Sequence, residues 1–315
     1  MSAEEKQRLV GVDLLRGIAA FFIVGCHLQL LQYTDLGWSL LHFCDMNVGA
    51  FSALSGYMMA YTSQRQESVH DFQGYVSKRM RRLLPTYVIW SLVYLVATAI
   101  LQYFLTGAIN PKYTTPRWWL NVLFWGDAAT HLWFIASLFY AQILLFAALN
   151  RMSKIFWITI SFVLILISAY WDSWYATYPL RLVAFLMLGF GVCGIEKKIG
   201  ITWSSVALFC GLIAHAVFPI KGFIRDWIVV IPVLLFFPKV TINSTATAYF
   251  FGNTSMGIFL IHPLMTVAFS TIIKRLIQPP YGVCEVAIVW IGAWLCSLGI
   301  TVAILKTKKL AWIVR

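Results

Sequence analysis

Ten stretches of this chain carry no charged side chain, and their lengths decide what it can fold into. They cover residues 17–34, 46–64, 83–111, 128–150, 155–171, 182–195, 199–220, 227–238, 240–273 and 286–305. A helix rises about 1.5 Å per residue, so about 20 apolar residues cross the hydrocarbon of a bilayer. Most of the stretches are long enough, and the short ones lengthen by drawing in flanking residues. Only 11% of the residues are charged and 60% are hydrophobic, whereas about a quarter of a soluble domain is charged. The expectation is an all-α membrane protein, a bundle of about ten transmembrane helices. A bundle of that size uses residues 1–315 as a single transmembrane domain, with no appended soluble domain. The first stretch is too long for a signal-peptide core and reads as a retained helix.

The net charge of +12 is mainly a topology signal and does not point to nucleic acid. With ten spans and a cytoplasmic N-terminus, 16 of the 24 basic residues fall on one side and 6 on the other, while Arg16 and Arg181 lie inside apolar segments. The positive-inside rule then places both termini in the cytoplasm, in a multi-pass protein of a bacterial inner membrane. Residues 65–82 read as a basic cytoplasmic loop, and residues 106–127 as an outer segment rich in tryptophan. The six cysteines stand singly, without metal-like spacing, and no metal is expected.

Ionisable residues at membrane depth are costly and suggest function when they face the bundle interior. Arg16 and His27 are eleven residues apart, about three turns plus 20° at 100° per residue, so they share a helix face. Asp13 joins the same stripe three residues before Arg16 and can pair with its guanidinium. A buried neutral imidazole at His27 is suited to accept a proton.

These residues also carry a family resemblance. Asp13-x-x-Arg16-Gly17 followed by His27 resembles the first helix of acyltransferase family 3, the integral membrane O-acyltransferases that include O-antigen and exopolysaccharide acetyltransferases. Phe51-Ser52-Ala53-Leu54-Ser55-Gly56-Tyr57 resembles the family's F-x-x-S-G-[FY] segment. Lys78-Arg79-x-x-Arg82 with Pro85-x-Tyr87 resembles its R-x-x-R-x-x-P-x-Y stretch, and His131-Leu132-Trp133-Phe134 its "H-L-W-F" landmark. Arg181 before Phe185-Leu186-Met187-Leu188-Gly189, and Gly252-x-x-Ser255 before Phe259-Leu260-x-His262, resemble later landmarks. Ala53 and Phe259 depart from the pattern, standing where the family usually has an aromatic residue and often a tyrosine.

The resemblance implies transfer of an acyl group, most simply acetyl, from cytoplasmic acyl-CoA to a hydroxyl of a cell-surface glycan or its lipid-linked precursor. His27, Arg16 and Asp13 are then the catalytic candidates, with His27 as general base and Arg16 as donor or oxyanion partner. Lys78, Arg79 and Arg82 become candidates for the phosphates of acetyl-CoA, and Ser55 and Tyr57 for the donor path. His131, Trp133, Arg181 and His262 become candidates for acceptor binding, although their places near span ends also suit interfacial anchors. Direct attack and an acyl-histidine intermediate both remain open, and so does the acceptor. The competing class is a multi-helix transporter or a lipid-linked sugar flippase, which also buries charges in a bundle. No G-x-S-x-G or H-E-x-x-H occurs to support an intramembrane protease.

Overall fold

A computed structural model describes residues 9–28, 35–63, 72–108, 115–126, 128–129, 131–146, 148, 152–170, 174–217, 222–241, 245–278 and 281–314. Among these residues there is no strand, and eleven α-helices carry the fold. They are α1 (Val10–Cys26), α2 (Asp35–Ser63), α3 (Phe72–Thr106), α4 (Pro116–Trp125), α5 (Trp133–Phe146) and α6 (Lys154–Tyr170). The chain continues through α7 (Trp174–Val192), α8 (Ile201–Val217), α9 (Gly222–Phe236), α10 (Thr245–Leu276) and α11 (Val283–Lys306).

Each of the ten uncharged stretches falls on one helix, with α4 as the addition. Three helical stretches, Phe72–Phe104, Ala246–Leu276 and Val283–Lys306, are long and apolar enough to cross a membrane, and four shorter apolar helices accompany them. The outward face of α3 shows the chemistry. Leu84, Val88, Leu92, Val96, Ile100 and Phe104 recur every fourth residue and are all exposed, while Leu83, Tyr87, Trp90 and Tyr94 on the other side are buried. A continuous apolar row of that length is disfavoured in water and suits contact with lipid tails.

The interior is organised by helix pairs that run in the same direction. On α1 and α10, Asp13 lies over Gly252 and Gly17 over Phe251, and further along His27 packs against His262. On α2 and α7, Asp45 meets Arg181 and Gly49 meets Phe185, and Tyr57 donates to Glu196, just past the end of α7, at 3.0 Å. The second pair is very close. A Cβ added at Gly56 would overlap the Leu186 carbonyl oxygen, and one at Gly189 would overlap that of Ala53. Small residues therefore set the α2–α7 distance, as is usual where helices associate in lipid.

Two expectations about segments change. Residues 72–82, expected to lie in a loop, already belong to α3, because an exposed first helical turn tolerates cations that interrupt an apolar run. Within residues 106–127, Pro116 at the helix start and Gly126 in the left-handed conformation (φ 75°) after its end delimit α4, a common start and stop pairing. Tyr87 ties α4 to α3 by donating its hydroxyl to the Val122 carbonyl. Arg65 and Arg151 lie outside the described residues.

Candidate functional site

Three histidines from three parts of the chain meet inside the bundle. His27 follows the last residue of α1, His131 sits in the turn before α5, and His262 lies midway along α10. Ring centroids are 4.8 Å apart for His27 and His262, 5.8 Å for His131 and His262, and 6.3 Å for His27 and His131. His262 thus stands within a helix and not near its end, and its surroundings differ from an interfacial anchor's. It is fully buried, as His131 nearly is.

The local sequence explains how His262 is held. Its Nδ1 lies 3.1 Å from the Ile258 carbonyl oxygen, so a neutral ring donates from Nδ1 and keeps its lone pair on Nε2. Pro263 follows directly and removes one N–H from the helical ladder. The Nε2 atom makes no hydrogen bond among the described residues. His131 is placed similarly. Its ring lies beside the Leu260 carbonyl, but Tyr94 already donates to that oxygen at 2.8 Å, and neither ring nitrogen of His131 makes a well-formed hydrogen bond among the described residues. Buried polar atoms without partners are rare, and each calls for an explanation such as a ligand or a water.

Aromatic rings enclose the cluster. Tyr94 packs edge-on against His131 at 4.7 Å, and Phe259 lies 5.6 Å from His131 and 6.0 Å from His262. Phe51 and Phe134 pack on Phe259 in turn. Phe259, where the resemblance leads one to expect tyrosine, therefore contributes a ring without a hydroxyl to the wall.

Arg16 does not join the histidines. Eleven residues of helix separate it from His27, about 16 Å. Its Nη1 lies 3.7 Å from Asp13 Oδ1, with Arg16 partly exposed and Asp13 buried. Gly252 is required there, since a Cβ would overlap the Asp13 carboxylate.

The cations of α3 lie further still from the histidines. Lys78, Arg81 and Arg82 line an open hollow of about 460 Å³ together with Gly74 and Ser77. Arg79 turns to Tyr75 instead, donating from Nε to its hydroxyl at 3.2 Å, and Tyr75 stacks on Phe146. Arg81 was not selected by the R-x-x-R pattern, yet it shares the hollow. The face of α3 that begins with Arg82 continues through Thr86, Trp90 and Tyr94. It separates the hollow from His131 by 12 residues, about 18 Å, and residues 311–314 cover it, Thr86 donating to the Trp312 carbonyl at 3.4 Å and Trp90 to that of Ile313 at 2.9 Å.

Ser55 donates back to the Phe51 carbonyl at 3.1 Å on its own helix, and Tyr57 is engaged by the buried Glu196. Trp133 is half-buried, its ring 5.5 Å from that of Tyr178.

Arg181 forms the centre of a second polar group. Its Nη1 contacts Asp45 Oδ2 at 2.7 Å, its Nη2 donates to the Asp45 carbonyl at 3.1 Å, and Nη2 also contacts Asp226 Oδ2 at 2.6 Å. His215 Nε2 lies 3.7 Å from the other Asp226 oxygen. Arg181, Asp226 and His215 are buried, whereas 29% of the Asp45 side chain is exposed. The group lies toward the end of α1 that carries His27, since Cys44, next to Asp45, packs its sulfur against Gly25, two residues before His27. The sequence singles out Arg181 alone. Asp45 and Asp226 each border an uncharged stretch and look like ordinary loop flanks, and only their shared guanidinium reveals that they face inward.

The chain matches the family model described as an acyltransferase domain, that of acyltransferase family 3, over residues 9–306. No curated protein and no solved structure matches it.

Proposed function

This chain belongs to acyltransferase family 3 and is a membrane acyltransferase, and we propose that it moves an acyl group, most simply acetyl, from acyl-CoA to a hydroxyl of a glycan or its lipid-linked precursor. Family membership decides the choice between group transfer and transport in favour of transfer. The observation that carries the finer reading is the meeting of His27, His131 and His262, with the Nε2 atom of His262 and both ring nitrogens of His131 buried without hydrogen bonds among the described residues.

In this reading ten of the helices span the inner membrane and both termini face the cytoplasm. The phosphates of the donor rest in the hollow of Lys78, Arg81 and Arg82, where three cations offer charge-assisted hydrogen bonds. Arg16, oriented by Asp13, stands too far from His27 to hold the same atoms, so its role is toward the donor and not toward the oxyanion. Arg79 supports the hollow by fixing Tyr75. Ser55 and Tyr57 belong to the α2–α7 contact, which keeps the walls of the site in place.

His27 takes the proton of the acceptor hydroxyl as its oxygen attacks the thioester carbonyl carbon. A C–O bond forms, the C–S bond breaks, and the proton passes from the imidazolium to the departing thiolate. A positioned general base contributes about 10²- to 10⁴-fold. The neighbouring imidazoles suit the developing oxyanion as N–H donors. An acyl-histidine intermediate uses the same groups in two steps.

The test is release of CoA from acetyl-CoA by the purified protein in lipid vesicles, with unmodified surface polysaccharide from cells lacking the gene as acceptor. Acceptor-dependent release that His27→Ala abolishes supports the mechanism. Unchanged release in both His27→Ala and Arg16→Ala rules it out.

A further inference from the structure

The group around Arg181 has features that a purely structural ion pair does not need. A buried ion pair repays its desolvation only when hydrogen bonds use the remaining lone pairs and protons. Here one guanidinium serves two carboxylates, and the two differ. Asp226 is buried to 3% and has His215 on its other oxygen. Asp45 keeps 29% of its side chain exposed, and its recorded contact with Arg181 goes through Oδ2.

Arg181 also holds Asp45 at two points, through Oδ2 and through the main-chain carbonyl. The carboxylate is therefore fixed in direction without being fully used. An ionised carboxylate has about four lone-pair sites, more than the contact with Arg181 uses, and 29% of the Asp45 side chain is exposed. Asp45 sits three turns into α2, directly after Cys44, whose sulfur packs on Gly25 two residues before His27. Tyr178, three residues before Arg181 on the same helix, carries a ring pair with Trp133. A fixed carboxylate held by Arg181, with the Tyr178–Trp133 ring pair on the same helix face as Arg181, is suited to a polyhydroxylated ring, which offers O–H donors at its edge and C–H groups on its face.

We propose that Asp45 is an acceptor-binding residue of this site, its carboxylate accepting a hydrogen bond from a hydroxyl of a sugar-like acceptor, next to the hydroxyl that His27 deprotonates. Arg181 acts through Asp45 as a positioning residue, with Asp226 and His215 holding Arg181 from behind. This inference rests on the acyl-transfer reading above and adds to it the residue that selects a polyol over a simple alcohol.

The experiment uses the full chain in lipid vesicles, acetyl-CoA as donor and the unmodified polysaccharide from cells lacking the gene as acceptor. Asp45→Asn keeps the shape but weakens acceptance of hydroxyl protons, and Asp45→Glu keeps the charge. Hydrogen bonds to charged groups contribute about 1.5 to 3 kcal/mol, so Asp45→Asn raises the acceptor KM at least about tenfold. The donor KM and the affinity for CoA itself stay within twofold, and Asp45→Glu recovers a large part of the acceptor KM. Intact CoA binding certifies that each variant is folded. An acceptor KM that Asp45→Asn leaves unchanged overturns the inference, as does a parallel rise in the donor KM or a loss of CoA binding in both variants, which would make Asp45 structural. A wild-type protein that releases no CoA with this acceptor overturns the acyl-transfer reading itself, and this inference with it.

Discussion

Tyr94 on α3 donates its hydroxyl to the carbonyl of Leu260 on α10 at 2.8 Å, two residues before His262. The helix that carries the basic hollow is thereby latched to the helix that carries His262. Both partners are buried, so loss of the donor leaves a carbonyl without its tertiary partner. Tyr94→Phe is expected to cost about 1 to 3 kcal/mol of stability and to lower kcat more than it raises either KM. Thermal unfolding in detergent and steady-state kinetics check the two parts separately.

Removal of His27 takes away the general base of the proposed reaction. His27→Ala should lower kcat about 10²- to 10⁴-fold while CoA still binds, since the hollow on α3 is more than a dozen angstroms away. A kcat within a few fold of the wild type would assign the base elsewhere, with His262 Nε2 the first alternative.

The hollow on α3 makes a different prediction. Lys78→Ala, Arg81→Ala and Arg82→Ala should each raise the donor KM and make it less sensitive to salt, because each removes a cation from the hollow proposed for the donor phosphates. Arg79→Ala should affect stability more than donor KM, since its contacts are with Tyr75. Equal effects of all four on donor KM would argue for a diffuse basic surface in place of a defined hollow.

Arg181→Met leaves Asp45 and Asp226 facing each other without their shared cation. Breaking a buried ion pair from one side costs about 3 to 5 kcal/mol, and unfolding in detergent should show it. Adding Asp45→Asn and Asp226→Asn to Arg181→Met should restore part of that loss, because the neutral amides no longer repel. A triple variant no more stable than Arg181→Met alone would mean that packing, and not charge, holds the network.

Gly189→Ala tests the α2–α7 contact. The added methyl group meets the Ala53 carbonyl oxygen, so the helices must separate, at about 1 to 3 kcal/mol for an overpacked interior. A neutral result would show that α7 can shift without strain.

Much of this arrangement is legible in the sequence because hydrocarbon is a strict solvent. Each of the ten uncharged stretches maps to a helix, and the placing of Arg16, His27 and Arg181 among apolar residues marks them as unusual. Asp13 and Arg16, read as part of the first helix, do lie inside α1, where they pair with each other. Helix ends are less legible. The rule that a charge ends a stretch hides the first turns of α3.

Within the site, the motif residues lie far apart in sequence, and pattern alone does not say which of them meet. The convergence of His131 and His262 on His27 depends on α1 and α10 running side by side in the same direction. Asp45, Asp226 and His215 are invisible for the same reason: each is ordinary in its own segment and acquires meaning only from Arg181. Arg79 shows the reverse, since its motif position suggests a ligand contact and its side chain is taken up by Tyr75.

The wall of Phe51, Phe134 and Phe259 around the imidazoles has a consequence for economy. Water is a small and abundant nucleophile, and any base able to activate a sugar hydroxyl can activate it as well. A greasy enclosure admits few such molecules, so the activated thioester survives while no acceptor is at hand. Futile hydrolysis should then be slow at rest, and swapping one of these rings for a smaller residue would turn the protein into a wasteful thioesterase.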